Sequence, residues 1–194
     1  MRLVVFDTEA TDLTPGQICQ LACVLDEDGQ VSGRNWFFTV DDMSPGAQEV
    51  HGLSLDRLRE LSGGLYFEDH AQEIRSLFEA SSLVAGHNVA ADEKYLRVEM
   101  ARAGLAMKKL KTFCTMNYAA GIMNLQRKVV TGRPKPPRLE ELAAHYGVGD
   151  AETARMADGL FGGGDSLHDA RYDAVMTYLC LMAALGRGDL RNLG

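Results

Sequence analysis

Leu3-Val4-Val5-Phe6-Asp7-Thr8-Glu9 decides how this chain folds. An unbroken apolar run meets two acids separated by a single threonine. Such a run, with its β-branched valines, suits a strand buried on both faces. Side chains two apart in a strand share a face, so Asp7 and Glu9 stand side by side where the strand leaves the core. Like charges that close are unfavourable unless a cation lies between them, and oxygen ligands select a hard divalent ion such as Mg²⁺ or Mn²⁺. Two solvated acids at a strand end satisfy the same pattern, so D-x-E alone does not choose.

Outward from this strand the pattern stays extended. Thr14-Pro15-Gly16 is a turn, Ile18 to Leu25 a second strand, and Asp26 to Gly29 another turn. Val31 to Val40, with Trp36, Phe37 and Phe38, reads as a third strand. The three form an antiparallel meander. Helical spacing follows at 54–61, with Ser54 as N-cap, and at 69–78. Leu83 to Gly86 reads as a strand, 91–102 as a helix and Thr112 to Thr115 as a last strand. A stiff basic loop at 131–137 precedes a helix over 139–146 that Gly147 stops. Four glycines between 159 and 164 suggest a mobile loop, and a final helix runs from about 169 to 185. The order implies an α/β fold, one mixed sheet covered by helices, formed by a single domain over 1–185 with a short tail over 186–194.

The chain has 194 residues, 46% of them hydrophobic and 24% charged, ample for a real core. No run of 18 apolar residues occurs, so no membrane span is expected, and the N-terminal apolar run is too short for a signal peptide. Cys19, Cys23, Cys114 and Cys180 form no C-x-x-C pair, consistent with reduced thiols and a cytoplasmic location. The net charge is −7, yet nine basic residues and no acid lie between Arg102 and Arg138. Such a segment attracts phosphates, and equally describes a solvated basic face.

Two further clusters stand out. His87-Asn88-Val89-Ala90-Ala91-Asp92 crosses from a strand end into a helix, placing Asp92 in the first helical turn at the sheet edge. An acid there also serves the helix dipole. His168-Asp169-Ala170-Arg171-Tyr172-Asp173 opens the last helix. Five helical steps turn about 140° beyond a full circle, so His168 and Asp173 converge only if His168 lies on the loop before the helix.

Together these segments resemble the DnaQ-like exonucleases, the DEDDh group of the ribonuclease H-like fold. Phe6-Asp7-Thr8-Glu9-Ala10-Thr11-Asp12-Leu13 resembles the family's F-D-T-E-T-T-G-L. His87-Asn88-x-x-x-Asp92 resembles H-N-A-x-F-D, and His168-x-Ala170-x-x-Asp173 resembles H-x-A-x-x-D. His51-Gly52 and Arg138-Leu139-Glu140-Glu141-Leu142 are weaker echoes. The resemblance covers roughly 3–185 and depends on all three motifs occurring in order. It implies a five-stranded mixed sheet, a three-strand antiparallel meander plus two parallel strands, flanked by helices.

It also implies 3′→5′ exonuclease chemistry by two-metal hydrolysis, with Mg²⁺ or Mn²⁺ ions about 3.5–4 Å apart. Asp7, Glu9, Asp92 and Asp173 would be the ligands, and His168 the general base on the attacking water, since an imidazole ordinarily titrates near neutrality. Thr8, Ala10, Leu13, His51 and Asn88 would contact the substrate. Ala10 and Asp12 replace the family's Thr and Gly, and Ala91 replaces a frequent Phe that stacks on nucleotides, so grip on the substrate is expected to differ. The expected partner is the 3′ end of a single strand, DNA first. RNA 3′ ends or short oligoribonucleotides are the alternative substrates, and a non-cutting single-strand binding module is the rival class. A DNA polymerase and a second copy of this chain remain open as partners.

Overall fold

The computed structural model describes residues 1–123, 125, 135–164 and 166–190. Five strands form one sheet in the order β3-β2-β1-β4-β5. β1 (Arg2–Ala10), β2 (Ile18–Glu27) and β3 (Gln30–Phe37) are the antiparallel meander. β4 (Leu83–Gly86) runs parallel to β1, and β5 (Thr112–Cys114) parallel to β4. This is the expected ribonuclease H-like arrangement. β3 ends at Phe37 instead of continuing to Val40: Phe38 still bonds the Cys19 carbonyl in register, but the Thr39 N–H turns away to the Leu65 carbonyl.

β1 is the central strand and both of its faces are covered. Val4 and Phe6 pack with Ile74, Phe78, Leu96 and Met100 from α3 (Phe67–Glu79) and α4 (Val89–Arg102). Leu3 and Val5 pack with Ala170, Ala174, Val175 and Tyr178 from α8 (Ala170–Gly186). The even-numbered residues of β1 thus face α3 and α4, and the odd-numbered ones face α8. That explains why the strand reads as continuous apolar sequence rather than alternating.

Between β3 and α3 lie α1 (Pro45–His51) and α2 (Leu55–Ser62). Ser44 caps α1 and Ser54 caps α2, each through its hydroxyl, and Gly52 and Gly63 close the two helices in the left-handed conformation. α5 (Thr115–Met123), α6 (Leu139–Tyr146) and α7 (Asp150–Phe161) complete the layer around α8. Three of these helices, α1, α5 and α7, depart from the expected reading. α7 takes in Gly159, so the glycine segment anticipated as a loop over 159–164 begins only at Gly162, the helix cap. No helix among the described residues is long and apolar enough to cross a membrane.

Candidate active site

The site grows from the two faces of β1. Beyond Phe6 the strand runs past its apolar cover, and polar side chains continue the same alternation. On the odd face, Asp7 and Glu9 extend the row of Leu3 and Val5 and meet Asp173 in the first turn of α8. One ligand oxygen from each of Asp7, Glu9 and Asp173 lies within 4.8 Å of the others. On the even face, the Thr8 hydroxyl donates to Asp92 Oδ1 at 2.6 Å, with Asp92 in the first turn of α4. A bulge where Glu9 pairs with Gln20 and Ala10 with Ile18 bends the strand end just past the acids. The carboxylates therefore gather at the carboxyl end of parallel strands β1 and β4, where such sheets place their ligands.

Their electrostatics are unfavourable without a counter-charge. Burial, and then repulsion from Asp92, Asp173 and Glu9, holds the Asp7 carboxyl well above the usual range. Burial and the neighbouring acids push Glu9 up to about 9 and Asp173 up to about 7. Asp92 rises to about 6, burial outweighing the Thr8 hydroxyl. Among the described residues, no Lys or Arg is paired with any of the four. Asp173 Oδ1 is buried without a hydrogen-bond partner, while its Oδ2 accepts from the His168 backbone N–H at 3.2 Å. Converging acids of this kind, one with an orphaned oxygen, fit an oxygen-ligated divalent cation.

Beside the acids opens a cleft of about 600 Å³, lined by Asp7, Thr8, Glu9, Asp92 and the candidate substrate residues Ala10, Leu13, His51 and Asn88. Leu13 projects into it with 93% of its surface exposed. His51 ends α1; its Nδ1 accepts from the Leu53 N–H, which leaves the proton on Nε2. Burial lowers its pKa, the Ala10 backbone opposes this, and His168 lowers it further. Asn88 and His168 both have left-handed backbones, φ 70° and 63°, a conformation uncommon outside glycine and concentrated at functional sites. His168 precedes the Asp169 N-cap of α8, as convergence with Asp173 requires. Its side chain is exposed and does not line the cleft; its recorded tie to the acids is the backbone N–H alone.

Several lining residues escaped the sequence reading. Tyr95 stands one helical turn beyond Asp92, on the same face of α4, and its hydroxyl bonds to the carbonyls of Asp12 and Leu13 at 2.7 and 3.0 Å. The i, i+3 spacing was the available signal. Ser44, Gly46, Ala47 and Val50 come from the unanticipated α1. His87 is held by Thr115 Oγ1 and the Pro137 carbonyl, each at 3.1 Å.

Among the described residues, the basic segment does not form one track beside the acids. Arg102 is engaged by Glu99 and the Pro15 and Gly16 carbonyls, and Lys135 by Glu141. Lys108, Lys109 and Lys111 precede β5, whose Thr112 is level with Val84 and hence with Val4. That is the entry end of the parallel strands, roughly 10 Å along the sheet from Asp7 at a strand rise of about 3.3 Å per residue. Arg127, Lys128 and Arg133 lie outside the described residues.

This architecture recurs in known nucleases. It matches E. coli exonuclease I in complex with a dT13 oligonucleotide at TM-score 0.72 and 18% identity, over 97% of this chain and 42% of that one. The zinc-bound form of the E. coli exonuclease I complex with single-stranded DNA gives 0.72 and 18%, over 97% and 41%. The moderately thermophilic exonuclease I of Methylocaldum szegediense gives 0.71 and 17%, over 97% and 41%. The chain thus spans about two fifths of the length of these enzymes, and at such identity the likeness is one of fold. No curated protein matches it in sequence. Residues 4–181, nearly the whole chain, match the RNase T family of exonucleases, and the chain belongs to that family.

Proposed function

We propose that this exonuclease removes nucleotides from the 3′ end of single-stranded nucleic acid, with DNA the first candidate, releasing nucleoside 5′-monophosphates. The observation that carries this is the meeting of Asp7, Glu9 and Asp173 within 4.8 Å, with a buried Asp173 oxygen left without a partner. The exonuclease I complexes with single-stranded oligonucleotides supply the substrate class by analogy of fold.

Asp7, Glu9, Asp92 and Asp173 would hold divalent cations, Mg²⁺ or Mn²⁺. Bound there, the cations offset the carboxylate charge and withdraw electron density from the scissile phosphate. Thr8 fixes the rotamer of Asp92 through its hydroxyl. The exposed His168 imidazole would accept a proton from water as the water oxygen bonds to phosphorus and the P–O3′ bond breaks, the departing 3′ oxygen taking a proton from solvent. Leu13, Val50 and Tyr95 offer apolar surface to the terminal base, and Tyr95 pins the Asp12–Leu13 turn.

The test uses 5′-labelled DNA and RNA strands of matched sequence with Mg²⁺, Mn²⁺ or a chelator. The expected result is a ladder shrinking from the 3′ end, abolished by chelation and by His168→Ala, the latter by about 10²–10⁴-fold. Cleavage that persists in chelator, or full activity of His168→Ala, contradicts the proposal. A higher rate on the RNA strand would move the substrate to RNA ends.

A further inference from the structure

Gln20 is the one amide in the apolar stretch Ile18–Leu25 of β2, and it is 1% exposed. An apolar residue would suit that strand at least as well. All of its hydrogen-bonding capacity toward α8 is nevertheless spent on two residues. Its Nε2 donates to Asp169 Oδ1 at 2.9 Å and to Asn35 Oδ1 at 3.1 Å. Its Oε1 accepts from the Ala170 N–H at 3.3 Å. The opposite amide orientation would set oxygen against oxygen and N–H against N–H, so the network itself fixes the assignment.

Asp169 is gripped from the other side as well. Its Oδ1 accepts from the Arg171 N–H at 3.0 Å and from Arg171 Nε at 2.9 Å, and its Oδ2 from Nη2 at 2.6 Å. The Arg171 guanidinium in turn lies over the Phe37 ring at 5.4 Å. The peptide joining Asp169 to Ala170 is therefore anchored to β2 and β3 through side chains alone. His168 comes immediately before it, in a left-handed conformation that few non-glycine residues adopt. Its own N–H is held by Asp173. His168 is thus bracketed, by an acid of the site on one side and by the Gln20 network on the other.

We infer that Gln20 is a positioning residue for His168, acting through Asp169 and Ala170 to fix where the imidazole stands relative to the carboxylates. A polar network anchored on a buried, hydrogen-bonded amide specifies geometry more sharply than apolar contact does. The inference rests on the nuclease reading and on the role proposed for His168.

The test is a double-mutant cycle in single-turnover and steady-state kinetics on a 5′-labelled single strand. Gln20→Met keeps the length of the side chain and removes its hydrogen bonds. The expected result is a fall in kcat of about 10²-fold, the scale of a misplacement near 1 Å, with KM unchanged. In the His168→Ala background the same substitution is expected to add nothing, a result that a merely structural role would not give. Equal losses in both backgrounds, or an unchanged kcat, overturn the inference. If Gln20→Met does not fold, Asn35→Ala is the second variant, since it removes one acceptor of Nε2. It is expected to lower kcat less and again only when His168 is present; a loss in both backgrounds, or none in either, overturns the inference. Wild-type protein that does not cut overturns the nuclease reading; wild-type protein that cuts while Gln20→Met keeps its kcat overturns this inference alone.

Discussion

Asp169 caps α8 and Asp173 follows it one turn later, yet their surroundings differ in kind. Burial alone would raise Asp169, but hydrogen bonds from Arg171 and Gln20 outweigh it and hold the carboxyl below its ordinary value. Asp173 receives a single backbone N–H, faces Glu140, Asp169 and Asp92, and is pushed up to about 7. α4 repeats the contrast two turns apart. Asp92 looks into the acid cluster, whereas Glu99 accepts from the Ile18 N–H at 2.8 Å and from Arg102 at 3.1 Å. Burial still raises Glu99, the more modestly because those donors oppose it. The fold evidently has donors enough for buried acids, and supplies them where the acid holds elements together. At the strand ends it leaves carboxylates short of partners.

The sharpest way to break this comparison is to neutralise one acid of each kind. Asp173→Asn is expected to lower exonuclease activity on the order of 10³-fold, several kcal/mol of lost charge stabilisation. Metal-free stability should hold or rise, because a repelled charge has gone. Asp169→Ala should instead lower stability by about 1–3 kcal/mol through loss of the cap and the Arg171 pair. Urea melts of both variants decide it; Asp173→Asn melting as early as Asp169→Ala would erase the distinction.

Next comes pH. Asp7, Glu9, Asp92 and Asp173 all titrate higher folded than unfolded. Between the two values the folded state holds more protons, so stability falls with rising pH. The contribution is intact below about pH 4 and is lost as pH climbs through about 6, 7 and 9, where Asp92, Asp173 and Glu9 titrate. Metal-free protein is therefore expected to melt lower at pH 9 than at pH 5. Mg²⁺ or Mn²⁺ should raise Tm most at the alkaline end, a site occupied at a hundred times its Kd adding about 2.7 kcal/mol of stability. A metal-free Tm that is flat across this range would refute the account.

Smaller effects sharpen the structural side. Glu99→Ala strands the buried Ile18 N–H and removes the acidic partner of Arg102, which keeps the Pro15 and Gly16 carbonyls, an expected loss of about 1–3 kcal/mol with the cation response preserved. Arg57→Ala removes the exposed Arg57–Glu60 pair and should change stability by less than about 1 kcal/mol. Denaturant midpoints for both test whether burial, rather than charge count, sets the scale.

The sheet was legible because β1 and β2 are buried enough to write their extension into apolar sequence. The pairing of Asp7 with Glu9 followed from strand alternation alone, whereas helical geometry made the convergence of His168 with Asp173 conditional on a loop position for His168. α1 was not legible because it buries none of its residues and so carries no apolar stripe; its marks were the Ser44 cap and Pro45 behind it. α7 buries only Thr153 and Ala157 and ends across Gly159, which reads as a breaker. The contact between Thr8 and Asp92 spans 84 residues and exists only once α4 packs on β1. Gln20 showed as one polar letter in an apolar strand, a signal with no partner visible until the fold supplied Asp169.

Leu3 through Glu9 is a single uninterrupted strand, with core contacts at one end and acids at the other. No hinge separates them. Asp7 and Glu9 are therefore expected to loosen on warming together with the interior, as parts of one cooperative unit. Loss of cutting on heating is expected to superimpose on the melting curve, leaving no temperature at which a folded but silent enzyme accumulates.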